Sequence, residues 1–199
     1  MSILKIARLG HPVLRQVAAP VDPAELGGPE LTRLIADMLE TVDAADGAGL
    51  AAPQVHVSKR VVVLQLSRGR GMEVWINPVL TPLTDERLAT TEGCLSVPGL
   101  LGVVARPAAV RVEALRPDGS ALLLELEGFA AVVAQHECDH LDGVVYVDKV
   151  EPRSLGFTEE LRRAARVRQA ETEDAEDPDG ELIEDEDDDL DDDEDEAGA

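Results

Sequence analysis

Gly128-Phe129-Ala130-Ala131-Val132-Val133-Ala134-Gln135-His136-Glu137-Cys138-Asp139-His140-Leu141 reads as one helix: an apolar run leads into a polar motif, and Asp142-Gly143 stops it. Positions i and i+4 share a helix face, so the imidazoles of His136 and His140 can chelate one metal ion. Glu137 then stands beside the water that the ion would activate. A bound divalent ion lowers that water's pKa toward about 7, and a glutamate can take the proton and return it. The bland alternative is two histidines spaced by chance, but the chain has only four in 199 residues.

Outward from this helix, the elements on its N-terminal side are mostly strands. Arg60 to Leu66 reads as a buried strand, and Val74 to Ile76 as a short one ending at Asn77-Pro78. Val110 to Leu115 and Ala121 to Leu126 form an antiparallel hairpin across Arg116-Pro117-Asp118-Gly119. Pro29 to about Ala44 is a helix, with Leu31, Leu34, Ile35, Met38 and Leu39 on one face. A turn is expected over Arg68 to Gly71 and an extended piece over Val144 to Val147. A last helix is expected from Thr158, its N-cap, to about Gln169, with Arg162, Arg163, Arg166 and Arg168 making it basic. Strands first and then the motif-bearing helix give an α+β class.

The net charge of −23 is unevenly placed. Glu171 to Ala199 holds 19 acidic and no basic residues, which leaves 22 acidic against 18 basic in the rest, a net of −4. Such a tail cannot bury enough apolar surface to fold and is expected to be disordered. The body's mild acidity argues against general nucleic-acid binding, including DNA. MSILKIARLGHPVLRQ has neither a long apolar core nor a cleavage site, so no secretion signal is expected. No stretch approaches 18 uninterrupted apolar residues, so no membrane span is expected either. With two cysteines, Cys94 and Cys138, and no secretion signal, we read the chain as cytoplasmic, with reduced thiols.

A catalytic tetrahedral site needs three protein ligands and one open position. No histidine follows His140, which excludes the longer motif with a third downstream imidazole; the required position is Tyr146. Glu159 or Glu160 could supply a carboxylate, as in other metallopeptidases. Cys94, in Thr91-Glu92-Gly93-Cys94-Leu95-Ser96-Val97-Pro98, is the better candidate, because Gly93 leaves its surroundings open. The bland reading of Cys94 is a free buried thiol. Cys138 lies about 200° around the helix from His136 and is assigned to packing.

Three segments in order resemble one family, the bacterial peptide deformylases: Gly47-Ala48-Gly49-Leu50-Ala51-Ala52-Pro53-Gln54, Glu92-Gly93-Cys94-Leu95-Ser96, and Gln135 through Gly143. The likeness implies a catalytic domain over 1–170, followed by a disordered acidic tail over 171–199. The expected fold is α+β, with antiparallel β-sheets packed around the motif-bearing helix, a C-terminal helix and that tail. It implies removal of the formyl group from the N-terminal formylmethionine of new polypeptides, with release of formate. Cys94, His136 and His140 would hold one divalent ion, Fe²⁺ first, with Zn²⁺, Ni²⁺ or Co²⁺ able to substitute. Glu137 would be the general base and then the acid; the Gln54 amide and the Leu95 backbone N–H would stabilise the oxyanion. Gly49 and Gly93 would flank the substrate backbone, and Phe129, Val132 and Val133 would line the methionine pocket. The expected protein is a monomer that can touch the ribosome through its basic last helix.

Two other readings remain at this stage. One is a metallopeptidase with a downstream carboxylate ligand, for which Cys94 is dispensable. The other is a non-catalytic binding module on the same scaffold.

Overall fold

Val61, Val62, Val63 and Leu64 are all buried, and this one strand explains the layering. Successive side chains on a strand point to opposite faces, so a strand buried throughout must be covered on both. Val61 and Val63 pack with Leu31, Ile35, Met38 and Val42 of the helix Pro29–Ala44 (α1). Val62 and Leu64 pack instead with Ala131, Val133, Ala134 and Leu141 of the helix Gly128–Leu141 (α2). Each such apolar side chain contributes about 1.5–3 kcal/mol when fully buried.

The computed structural model describes residues 2–67, 69 and 71–176, with side chains as far as 167. Besides the helices these include β1 (Gly49–Ala51), β2 (Val61–Leu64), β3 (Glu73–Pro82), β4 (Arg87–Cys94), β5 (Val97–Pro107), β6 (Ala109–Leu115), β7 (Ala121–Glu127) and β8 (Gly156–Phe157). They form a five-stranded sheet in the order β1-β2-β3-β6-β7 and a three-stranded sheet in the order β4-β5-β8. Every pairing between these strands is antiparallel. The α+β expectation holds, with α2 carrying the motif against the larger sheet. No described helix is long and apolar enough to cross a membrane.

The hairpin β6–β7 and helices α1 and α2 fall where the sequence places them. Gly143, just past α2, has φ +74°, and a Cβ there would sit 2.9 Å from the backbone of Arg15. The stop signal therefore answers both a left-handed turn and a close chain approach.

Four expectations need correction. The strand expected to end at Ile76 continues to Pro82; the chain passes Asn77-Pro78 as an irregularity in register. Asn77 takes φ +51° there, and its amide exchanges two hydrogen bonds with the backbone of Val21. The β4–β5 hairpin was not expected at all. The piece expected to be extended after Gly143 contains a 3-10 helix, Tyr146–Asp148, because the Asp148 carboxylate accepts from Val145 N (2.9 Å). The last helix (α3) runs Thr158–Glu176, longer than expected, with Thr158 inside it rather than capping it. Alanine and glutamate are good helix formers and carry it into the acidic segment.

The chain divides into two units, residues 1–161 and residues 162–199. In the second, Arg162, Arg163 and Arg166 are exposed on α3. The Arg168 side chain, Arg68 and Arg70 of the expected turn, and the tail beyond Glu176 lie outside the described residues.

Candidate metal centre

Two separate elements bring three ligand-bearing side chains together. Helix α2 supplies His136 and His140 one turn apart, their ring centroids 5.2 Å from each other with planes at 74°. The tight turn Leu95-Ser96 between β4 and β5 supplies Cys94, which ends β4 and pairs with Val97. The Cys94 Sγ lies 3.2 Å from His140 Nε2. Among the described residues, one ligand atom from each of Cys94, His136 and His140 falls within 4.8 Å of the others.

A cysteine sulfur and two imidazoles converging in this way suit a borderline divalent ion. His140 is fully buried, and burial lowers its pKa to about 3, helped by the charges of His136, Arg106 and Arg15. Its ring is therefore neutral, the form a metal needs. Burial also pulls His136 down. Hydrogen bonds to Cys94 and Glu92, and the charges of Glu137 and Cys94, outweigh it and push the ring up to about 10. Loading a metal on that ring would release a proton.

Glu137, between the two imidazoles in sequence, is 5 % exposed, and its Oε2 has no hydrogen-bond partner among the described residues. Burial raises its pKa to about 7, against the lowering charges of His136 and Arg106, while Glu92 adds to the rise. A buried carboxylate with a free oxygen and a pKa near neutrality has the properties of a general base. It is seated against Gly49: a Cβ there would lie 2.7 Å from Glu137 Cγ and Cδ. The sequence assigned this glycine to substrate approach; in the structure the space on its Cα belongs to the base.

Gln54 sits in a 3-10 helix, Ala52–Val55, that follows β1. Its Oε1 accepts from Ala51 N (2.8 Å), which orients the amide. Its Nε2 then lies 3.2 Å from Ser96 Oγ and 3.5 Å from Cys94 Sγ. Leu95 lies in the same turn as Ser96, and a Cβ at Gly47 would be 2.9 Å from its Cδ1. Gly93 is tight as well, since a Cβ there would lie 2.7 Å from Leu101 Cδ2. Val132 and Val133 are buried next to the ligand turn of α2, and Val133 is part of the core with Trp75 and Val110. Phe129 stays 56 % exposed.

Two further residues complete the site: Glu92, to which the motifs assign no role, and Arg106, which no sequence motif singles out. Glu92 Oε2 is 2.8 Å from His136 Nδ1. Arg106 holds both oxygens of Glu92, at 2.5 and 2.9 Å, and donates to Asp139 Oδ2 at 2.8 Å. Burial raises the Glu92 pKa, but the bonds and charges of Arg106 and His136 overcome it and keep the carboxylate below its usual range. A carboxylate on the outer nitrogen of a ligand histidine fixes the ring and raises its basicity. The available signal was position: Glu92 stands two residues before Cys94 on the same strand, although the pairing shifts register between them.

Cys138 is apart from the ligands. It lines a cavity of about 380 Å³ with Arg60, Pro78, Gln135, Asp142 and Lys149. Burial, then the nearby Glu137, pushes its thiol pKa well up, which suits packing and not metal binding. Glu159 and Glu160 are exposed at the start of α3 and outside the ligand cluster, so the metallopeptidase reading is not favoured.

Comparison with known proteins agrees with this arrangement. The family model described as polypeptide deformylase matches residues 3–155. A peptide deformylase of Stutzerimonas stutzeri is 50% identical over 149 residues, spanning 74% of this chain and 87% of that protein. The crystal structure of peptide deformylase from Thermotoga maritima superposes with a TM-score of 0.71 at 39% identity, covering 75% of this chain and 99% of that one. A Met-Ala-Ser-bound class I type b peptide deformylase from Acinetobacter baumannii superposes with a TM-score of 0.71 at 35% identity, covering 74% and 98%. With the Cys-His-His cluster, the buried glutamate and these likenesses together, the chain belongs to the polypeptide deformylase family.

Proposed function

We propose that this protein is a metal-dependent amide hydrolase that removes the formyl group from the N-terminal formylmethionine of newly made polypeptides and releases formate. The observation that carries the reading is Glu137, buried with an unpaired oxygen beside the converging ligand atoms of Cys94, His136 and His140. Those three residues would hold one divalent ion, Fe²⁺ in the cell, with Zn²⁺, Ni²⁺ or Co²⁺ as substitutes. When bound, such an ion polarises the formyl oxygen and makes a water acidic enough to attack at neutral pH.

Glu137 takes the proton of the attacking water and returns it to the leaving amine nitrogen. The Gln54 amide, held by Ala51 N at 2.8 Å, donates to the oxygen that gains charge, and the Leu95 backbone N–H is its second donor. Glu92 takes the Nδ1 of His136, which would leave the other ring nitrogen to hold the ion. Phe129, Val132 and Val133, on the turns of α2 before His136, offer the methionine side chain an apolar wall, while the bare Cα of Gly49 makes room for Glu137 and that of Gly93 for Leu101. The Acinetobacter relative binds Met-Ala-Ser, the peptide such a reaction would leave. Exposed Arg162, Arg163 and Arg166 support a contact with ribosomal RNA; association that does not weaken as salt rises would count against it.

The deciding experiment is formate release from formyl-Met-Ala-Ser by the metal-loaded full chain. We expect turnover in the unmodified protein and its loss in Cys94→Ser. Full activity in that variant would move the ligand set elsewhere.

A further inference from the structure

We propose that Tyr146 is a positioning residue of the metal centre, its ring bearing on the ligand His136 and its hydroxyl tying the segment just past α2 to the hairpin that delivers Cys94. This rests on the ligand set proposed above. Tyr146 occupies the position where a longer histidine motif would place a third imidazole. Here it is 1 % exposed, and its ring stacks on His136 with centroids 6.1 Å apart and planes at 25°. Its hydroxyl donates to the Leu100 carbonyl at 3.0 Å. That carbonyl belongs to β5, the strand that leaves the Cys94 turn.

The geometry divides the restraint on His136 into two parts. Glu92 grips Nδ1 at 2.8 Å and so acts in the plane of the ring. A stacked aromatic acts across that plane, where the carboxylate has little purchase. Tyr146 also shares one apolar cluster with Val97 and Val104, against which Cys94 and Leu100 pack. It therefore touches both halves of a ligand set that comes from two elements. The platform itself is fixed: Asp148, two residues on, accepts from Val145 N at 2.9 Å and pairs with Arg15. The tyrosine oxygen is committed to Leu100, so this residue supports a ligand and is not one.

The test compares Tyr146→Leu, Tyr146→Phe and a control in the same cluster, Val104→Ala, all in the full chain loaded with Co²⁺. The thiolate-to-cobalt and d–d absorption bands report ligand geometry, and competition with a chelator gives the rate of metal loss. Formate release gives kcat and KM. In Tyr146→Leu we expect altered bands, metal loss faster by about ten-fold, and lower kcat at little-changed KM, the range seen when groups behind metal ligands are removed. Tyr146→Phe keeps the ring and should keep the band shape, while losing metal faster by about three-fold because the hydroxyl tie is gone. Val104→Ala should lower Tm yet leave bands and metal loss unchanged.

Unchanged bands and metal loss in Tyr146→Leu would overturn the proposal, as would equal changes in Val104→Ala. A Tyr146→Phe variant that matches the unmodified chain in metal loss would remove the tie to Leu100. If the unmodified chain binds Co²⁺ without a thiolate band, the ligand set itself is wrong, and the role of Tyr146 falls with it.

Discussion

Helix α2 and the β4–β5 hairpin contribute to the same centre by opposite means. The helix sets His136 and His140 by purely local geometry, since residues four apart share a face whatever surrounds them. The hairpin sets Cys94 through its register, from Arg87 opposite Pro107 to Glu92 opposite Gly102, and then through a shift that puts Cys94 opposite Val97. A slip of one residue would turn its side chains to the other face. Ligands on a helix are therefore robust to their context, while the ligand on the hairpin inherits every contact that holds the hairpin in place. Arg106, 3 % exposed, is the chief of these, because it joins Glu92 on β4 to Asp139 on α2.

The largest effect is expected on the helix, at Glu137. Glu137→Gln keeps the size and burial of the side chain but cannot take a proton. Turnover should fall by about 10²–10⁴-fold with metal content unchanged; a variant within a few-fold of the parent would end the proposed mechanism. Next comes the hairpin's anchor. Arg106→Ala leaves two carboxylates facing a buried gap and should cost about 3–5 kcal/mol in urea unfolding. A cost below about 1 kcal/mol would mean that water reaches Glu92 and stands in for the guanidinium.

A finer cut separates holding the ligand from holding the fold. Glu92→Gln retains a hydrogen-bonding side chain but loses the charge behind His136. Metal affinity should drop by about 10–100-fold, read by chelator competition; equal affinity would make the contact structural only. The smallest effect is expected behind the helix. Cys138→Ala should destabilise by about 1 kcal/mol, with metal affinity and turnover shifted by no more than about two-fold. A large loss of metal there would contradict the separation of its two faces.

The same contrast explains what could be read from the chain. Helices α1 and α2 and the β6–β7 hairpin announce themselves through periodicity and Arg116-Pro117-Asp118-Gly119, signals a few residues long. The β4–β5 hairpin gives no such signal. Pro98, Gly99 and Gly102 break its alternation, and its turn, Leu95-Ser96, carries neither of the residues that usually mark a two-residue hairpin. Asn77-Pro78 looked like an end to β3 because proline lacks a donor; pairing instead shifts register around it and resumes at Val79. In the site, the convergence of Cys94, His136 and His140 is legible from motif chemistry and family likeness. Arg106 is not, since nothing local links it to residues 14 and 33 positions away. The close neighbour of Gly49 is not legible either: the crowding side chain, Glu137, lies on α2, far along the chain.

The split origin of the ligands has a consequence for folding. Cys94 and His140 are 46 residues apart in sequence, and an ion held between them would close that stretch into a loop much as a covalent crosslink does. Stripping it would open that loop and leave the hairpin tied to the helix by Arg106 and by the Glu92–His136 contact. Chelator should therefore lower the melting temperature of this protein, in step with the affinity of the ion it removes. In this architecture a bound ion would also be a fastener, and a cell short of it would hold a looser protein as well as an idle one.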